Sequence, residues 1–149
     1  MLNRRNARLL LALILAGNGI AMLAMPQAWY SMMPGVAHTG PLNPHFVRDV
    51  GAAYLIAGGA FAWLRSRPEA WPAALTGGAF LSLHALIHVG EMFAGSIDPH
   101  HLLRDLPGVF LIPVFALWLA WPGRRIRNIH SHKEIYHAQV DRTGPTRQV

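Results

Sequence analysis

Four long apolar stretches, separated by charged or turn-forming residues, constrain the fold of this chain more than any other feature of its sequence. They cover about residues 9–25, 45–64, 70–93 and 102–121. Each has about 17 to 24 residues, and about 20 apolar residues in a helix cross the roughly 30 Å of bilayer hydrocarbon. We therefore expect an all-α fold in which four transmembrane helices form an up-and-down bundle.

The first stretch also has the basic start and apolar middle of a secretory signal peptide. No clear cleavage site follows it, and three further apolar stretches do, so we expect a retained helix. Charged residues make up 13% of the 149 residues, about half of the share usual in soluble domains. The chain has no cysteine, which excludes disulfides, thiolate catalysis and cysteine-ligated metals.

The positions of the basic residues predict the orientation of the helices. Eleven of the thirteen lie before the first stretch, in the turn at 65–69 or in the tail 123–149, and the other two are Arg48 and Arg104. Positive charge is retained in the cytoplasm, so both termini are expected to be cytoplasmic. We therefore attribute the net charge of +6 to membrane topology. The expected partner is the lipid bilayer, and nucleic-acid binding is not expected.

The basic tail is expected to lie in the cytoplasm. Apolar residues at 126, 129, 136 and 140 recur at helical spacings among basic ones, which predicts a short amphipathic helix on the anionic inner leaflet. Its last residues, RTGPTRQV, are typical of disorder.

A short motif occurs at the start of both the second and the fourth stretch. Residues 45–51 read HFVRDVG and residues 101–108 read HLLRDLPG. Both helices would run from outside to inside, so a parallel duplication of a helix pair explains the match. The first and third stretches show no comparable match, and the two-helix internal repeat is a hypothesis.

The third stretch carries the most informative polar residues. His84, His88 and Glu91 are spaced i, i+4 and i+7, so they share one helix face in the expected outer half of the membrane. Ionisable groups at such depth usually turn inward and pair. The expected ligand-binding residues at this level are His84, His88, Glu91, Arg48, Asp49, Arg104 and Asp105.

Three interpretations of this set remain open. The side chains form a structural hydrogen-bonded network, or they bind the polar head of an organic ligand such as a quinone. Alternatively, His84, His88 and Glu91 bind a metal or haem, since imidazole and carboxylate are ligands of Zn, Cu and Fe. A protease-type zinc motif is disfavoured, because Ala85 stands where the glutamate would be needed.

Other residues within the stretches have expected packing roles. Asn18, between Gly17 and Gly19, is expected to hydrogen-bond to another helix. The small-residue runs around 51–59 and 77–78 are interpreted as packing surfaces, and Pro113 is expected to kink the fourth helix.

Arg48-Asp49-Val50-Gly51, followed seven residues later by Gly58, resembles a motif of small bacterial DoxX-like four-helix membrane proteins. The resemblance covers about residues 8 to 122 and implies a four-helix bundle in the bacterial inner membrane. Some members of that family are tied to quinone-linked oxidoreductases. His84, His88 and Glu91 are not part of the motif.

The leading hypothesis is a small inner-membrane protein whose outer-half polar pocket binds a small hydrophobic or quinone-like ligand, or which acts as an accessory subunit. One alternative is a metal- or haem-binding redox protein, and whether the chain is an enzyme stays open. Another is a purely structural subunit, with a second membrane protein or a further copy of the chain as partner.

Overall fold

The structure, a computed structural model, describes residues 3–38, 40–95, 103 and 105–122. Within these ranges the chain is helical and contains no strand, so the all-α prediction is confirmed. The helices are α1 (Arg4–Ala24), α2 (Pro26–Met32), α3 (Pro44–Ser66), α4 (Trp71–Phe93) and α5 (Ile112–Ala120). Single 3₁₀ turns cover Val36–His38 and Pro68–Ala70, and a π-helix over Leu106–Leu111 leads into α5. The tail 123–149, with its predicted amphipathic helix, and Arg104 lie outside the described residues.

The Pro- and Gly-rich sequence over 27–44 favours a loop, but the chain forms α2 at its start. Pro26 occupies the first helical position, where its missing N–H is not needed. A helix of seven residues is marginal alone, and a tertiary contact supports this one. Trp29 of α2 donates from Nε1 to Oδ1 of Asn18 at 2.9 Å. The expected hydrogen bond of Asn18 to another helix is thus confirmed, and Trp29 is half-buried against α1.

Small residues bring α1 and α3 into close contact along their length. A Cβ added to Gly19 would lie 2.6 Å from the carbonyl oxygen of Gly51, and one added to Gly58 would lie 2.7 Å from the backbone nitrogen of Ala16. Because Gly51 packs near Gly19 and Gly58 packs near Ala12 and Ala16, the two helices are antiparallel. The glycines at 51 and 58 therefore serve helix packing, as expected for small residues in such an interface.

Helix α4 contacts α3 on one side and α5 on the other through adjacent glycines. A Cβ on Gly77 would approach Ala57 at 3.2 Å, and a Cβ on Gly78 would approach the side chain of Leu117 at 3.0 Å. The interpretation of these small residues as packing surfaces is confirmed at both positions. Gly59, in contrast, has no neighbour within 4 Å at its Cβ position and is exposed.

The fourth helical segment changes its geometry before Pro113. The π-helix Leu106–Leu111 ends one residue before α5 begins at Ile112, and Pro113 is buried near the start of α5. Proline cannot donate the backbone hydrogen bond that a continuous α-helix requires, and a wider turn upstream accommodates this. The structure thus shows a change of helix type ahead of the proline, and the kink at Pro113 stays a prediction.

The start of α1 lies against the end of α5. Arg4 donates from Nη2 to the carbonyl oxygen of Trp118 at 2.6 Å, and its guanidinium lies 5.0 Å from the centre of the Trp118 ring. Arg8 donates to the carbonyl oxygen of Leu119 from Nε at 3.1 Å and from Nη2 at 2.9 Å. The last carbonyls of a helix lack partners within the helix and carry partial negative charge, so both arginines stabilise this end.

Many large apolar side chains point away from the packed interior, among them Leu13, Ile56, Leu86 and Trp118. Two described helical stretches are long and apolar enough to cross a membrane by length and composition: Arg4–Ala24 and Pro68–Phe93. The apolar helix Leu106–Ala120 is shorter. The interior, with Phe61, Leu15 and Leu64 fully buried, contains no buried charged or polar residue within the described ranges.

Candidate functional site

A histidine and a carboxylate pair where α4 meets the fourth helical segment. His88 Nδ1 lies 3.1 Å from Oδ2 of Asp105, and the two side chains are only 19% and 18% exposed. His88 is near the end of α4, and Asp105 immediately precedes the π-helix. The contact therefore joins two antiparallel segments with a polar pair that is largely shielded from the surroundings.

Two further polar rings extend this pair along α4 towards α3. The His84 ring centre lies 5.0 Å from that of His88 and 6.3 Å from that of Tyr54, both in edge-to-face orientation. Tyr54 also meets Phe80 edge-to-face at 5.6 Å. We call Tyr54, His84, His88 and Asp105 the histidine cluster.

The histidine cluster has unused hydrogen-bonding capacity. Among the described residues, neither the Tyr54 hydroxyl nor a His84 ring nitrogen forms a hydrogen bond, although both side chains are half-buried. His88 contacts Asp105 through Nδ1, and its Nε2 forms no hydrogen bond with the described residues. The cluster thus contains one hydroxyl and at least two ring nitrogens that have no hydrogen-bond partner among the described residues.

The structure brings together only part of the expected set. His84, His88 and Asp105 meet, whereas Arg48 donates from Nε to the carbonyl oxygen of Leu23, at the end of α1, at 3.2 Å. Asp49 lies 3.5 Å from Nε2 of His45 one turn earlier in α3, and these side chains are 62% and 87% exposed. Arg48 and Asp49 therefore have other neighbours than the α4 histidines.

Glu91 and Arg104 complete the expected ligand set without joining the observed contacts. Glu91 is half-buried near the end of α4 and forms no hydrogen bond or ion pair within the part of the chain that the structure describes. Arg104 lies outside that part. The expected set differs from the observed one because His88 pairs with Asp105 of the neighbouring segment and not with Glu91 of its own helix.

The metal hypothesis for His84, His88 and Glu91 needs three converging donors. No group of three or more His, Asp or Glu side chains suited to hold a metal ion occurs within residues 3–38, 40–95, 103 and 105–122. The imidazole of His88 is paired instead with the single carboxylate of Asp105, which fixes the orientation of the ring.

Sequence reasoning missed Tyr54, although a signal for it exists. Ala57 packs on Gly77, and Tyr54 packs on Phe80. In each pair the two residues are equally far in sequence from Arg67, which lies in the turn between α3 and α4. Counting equal numbers of residues outward from this short turn therefore aligns the two antiparallel helices. The same count places Tyr54 one turn from His84.

Apart from the histidine cluster, the fourth helical segment carries an apolar groove of about 470 Å³. Its lining side chains are Leu111, Ile112, Val114, Phe115 and Trp118. None of them is ionisable, and the indole N–H of Trp118 is the one polar side-chain group among them. The histidine cluster remains the candidate site.

Comparison with known proteins finds no match, neither to a family model, nor to a curated protein, nor to a solved structure.

Proposed function

We propose that this chain is a multi-pass membrane protein of the inner membrane whose histidine cluster binds the polar head of a small apolar ligand of the quinone class. The observation that carries the proposal is the shielded His88–Asp105 pair with Tyr54 and His84 beside it, both without hydrogen bonds to the described residues. Ionisable groups held within a membrane usually mark a binding site or a proton path.

The membrane placement is supported by the distribution of apolar and charged side chains. Arg4 and Arg8 lie at one end of the helices together with the end of α5, and apolar side chains such as Leu13 and Ile56 cover the outside. In this proposal α1, α3, α4 and the fourth segment all cross the membrane, with both termini cytoplasmic. His88 then lies about 25 Å along α4 from Trp71, in the outer half.

A quinone fits the chemistry of the cluster in both of its stable forms. Nε2 of His88 accepts from a ligand hydroxyl when the ring is neutral and donates to a ligand carbonyl when the ring is protonated. Asp105 holds the orientation of the ring through its contact with Nδ1. His84 and the Tyr54 hydroxyl supply further hydrogen bonds, and the aromatic rings of Tyr54 and Phe80 supply apolar contact.

The test is binding of decylubiquinone to the full chain in lipid nanodiscs, measured by calorimetry. His84→Ala and His88→Ala are each expected to weaken binding about fivefold or more, because loss of a hydrogen bond in a shielded site costs about 1–3 kcal/mol. His45→Ala is the matched control, since His45 also lies beside a carboxylate, that of Asp49, but is exposed at the surface.

The outcomes separate ligand binding from a structural role. Wild-type affinity in both the His84 and His88 variants would contradict the site, provided that the variants remain helical and monodisperse. The second candidate function is a purely structural one, in which the polar residues only hold helices together. One contact supports it: the His88–Asp105 pair joins α4 to the next segment. If the wild type binds no quinone while Asp105→Asn lowers the unfolding temperature more than Asp49→Asn, the pair serves helix association.

The resemblance to DoxX-like proteins agrees with this proposal through the quinone-linked members of that family. In this proposal Arg48-Asp49-Val50-Gly51 serves helix packing and does not bind the ligand. Gly51 and Gly58 allow α1 to approach, and Arg48 binds the end of α1 at Leu23. The motif would then maintain the helix pair, while α4 supplies the ligand-binding residues.

A further inference from the structure

Arginines from two antiparallel helices gather at the end of the molecule opposite the histidine cluster. Gly58 packs on Ala12 and Ala16, so moving seven residues further along α3 and back along α1 brings Arg65 level with about residues 5–9 of α1. We call Arg4, Arg5, Arg8, Arg65 and Arg67 the arginine end.

The positive charge of the arginine end is not balanced by carboxylates of the described residues. The guanidinium groups of Arg4 and Arg8 bind neutral carbonyl oxygens of α5. The described acidic residue nearest in sequence is Glu69, which is exposed and forms no ion pair within the described residues. Like charges that are held together without a counter-charge repel one another, and a bound anion relieves this repulsion.

Arg65 provides the most specific indication of an anion site. Its Nε is inaccessible to solvent and has no hydrogen-bond partner among the described residues, and the same holds for Nε of Arg4. A bound anion could not reach Nε of Arg65, so the Nη groups of Arg65 are the ones free to donate to an anion. The Arg65 guanidinium as a whole forms no hydrogen bond or ion pair with the part of the chain that the structure describes, while its side chain is partly exposed.

We propose that the arginine end binds the headgroup phosphate of an anionic phospholipid, with Arg65 as the principal donor. A guanidinium presents paired N–H groups that match the oxygens of a phosphate. Trp63 and Trp118, on the same helix ends, are more than half exposed, so they lie where the acyl chains and glycerol of such a lipid would be. The binding rests on the membrane placement of the proposed function, and on none of its quinone chemistry.

The experiment is native mass spectrometry of the detergent-purified full chain, titrated with phosphatidylglycerol and, separately, with phosphatidylcholine. The wild type is expected to prefer phosphatidylglycerol. Arg65→Gln is expected to weaken that binding about fivefold, which corresponds to about 1 kcal/mol for one basic residue at a membrane surface. Arg65→Lys keeps the charge but not the paired N–H geometry, so its loss should be smaller.

Arg48→Gln is the matched control, because Arg48 is an exposed arginine near the opposite end and contacts the α1 carbonyl of Leu23. It should leave phosphatidylglycerol binding unchanged. Equal affinity of the wild type for both lipids, or equal losses in the Arg65 and Arg48 variants, would overturn the proposal. Displacement of the lipid by millimolar inorganic phosphate would also overturn it, in favour of a soluble anion.

Extraction of the cell membranes with alkaline carbonate distinguishes the failure of this proposal from that of the proposed function. A chain that is released by carbonate would contradict the membrane placement and lipid binding together. A chain that is retained but shows no lipid preference would contradict lipid binding alone. Quinone affinity measured in the Arg65→Gln variant should equal that of the wild type, since the two sites lie at opposite ends.

Discussion

Replacing Gly58 with alanine should weaken the contact between α1 and α3, and the structure offers a matched control one residue away. A Cβ at Gly58 would lie 2.7 Å from the Ala16 nitrogen and 2.9 Å from the Ala12 oxygen. Both are backbone atoms that cannot rotate away, so the helices must separate locally by roughly 0.7 Å to reach ordinary contact, and a gap of that size forfeits about a quarter to a half of the dispersion energy.

The expected free-energy change follows from two opposing effects. Overpacking of this kind typically costs about 1–3 kcal/mol. Alanine also stabilises a helix by about 0.5–1 kcal/mol relative to glycine, and this gain applies equally at Gly59. Because a Cβ at Gly59 meets nothing within 4 Å, Gly59→Ala should be stabilising. The free energy of unfolding should therefore differ by about 1–3 kcal/mol between the two variants.

The assay is unfolding in mixed micelles by increasing dodecyl sulfate, monitored by far-ultraviolet circular dichroism. Equal free energies of unfolding for Gly58→Ala and Gly59→Ala would refute the close approach of α1 and α3. Adding Ala16→Gly to Gly58→Ala should restore little stability, because it removes only the third contact, at 3.0 Å, and leaves both backbone clashes.

Two further changes test hydrogen bonds between helices. Trp29→Phe removes the donor to Asn18 and should lower the free energy of unfolding by about 1–3 kcal/mol, whereas Trp63→Phe, at an exposed tryptophan, should have a smaller effect in the same unfolding assay. Arg8→Gln removes both hydrogen bonds to the Leu119 carbonyl and should increase amide exchange of α5 in hydrogen-exchange mass spectrometry, and an unchanged exchange pattern would contradict this contact.

The helical elements were accessible to sequence reasoning because their signals are local. The lengths of the apolar stretches predict helices. In the structure α3 begins at Pro44, and the Asn43 side chain caps it by accepting from the backbone N–H groups of His45 and Phe46. Asn18 in an apolar stretch also indicated a partner on another helix. Helix α2 was missed because its stability depends on the Trp29 contact rather than on its own seven residues.

The composition of the site was harder to predict because it depends on helix rotation and register. His84 and His88 were expected to face a polar set, and Asp105 does meet His88. Nothing local distinguishes Asp105 from Asp49, since both follow an arginine in the same short motif. Only the packed structure shows that one is 18% exposed against α4 while the other is 62% exposed on the surface.

This difference between the two copies of the motif also bears on where a ligand would bind. In the first half of the chain the polar group within the apolar stretch, Asn18, is satisfied by Trp29. In the second half the His88–Asp105 pair leaves the neighbouring His84 without a hydrogen bond among the described residues. In the membrane placement proposed above, a polar group in hydrocarbon that lacks an internal partner is stabilised most by an external one. If the two halves arose by duplication, the second is therefore the half that retained unused hydrogen-bonding capacity, and a single site per chain is expected rather than two.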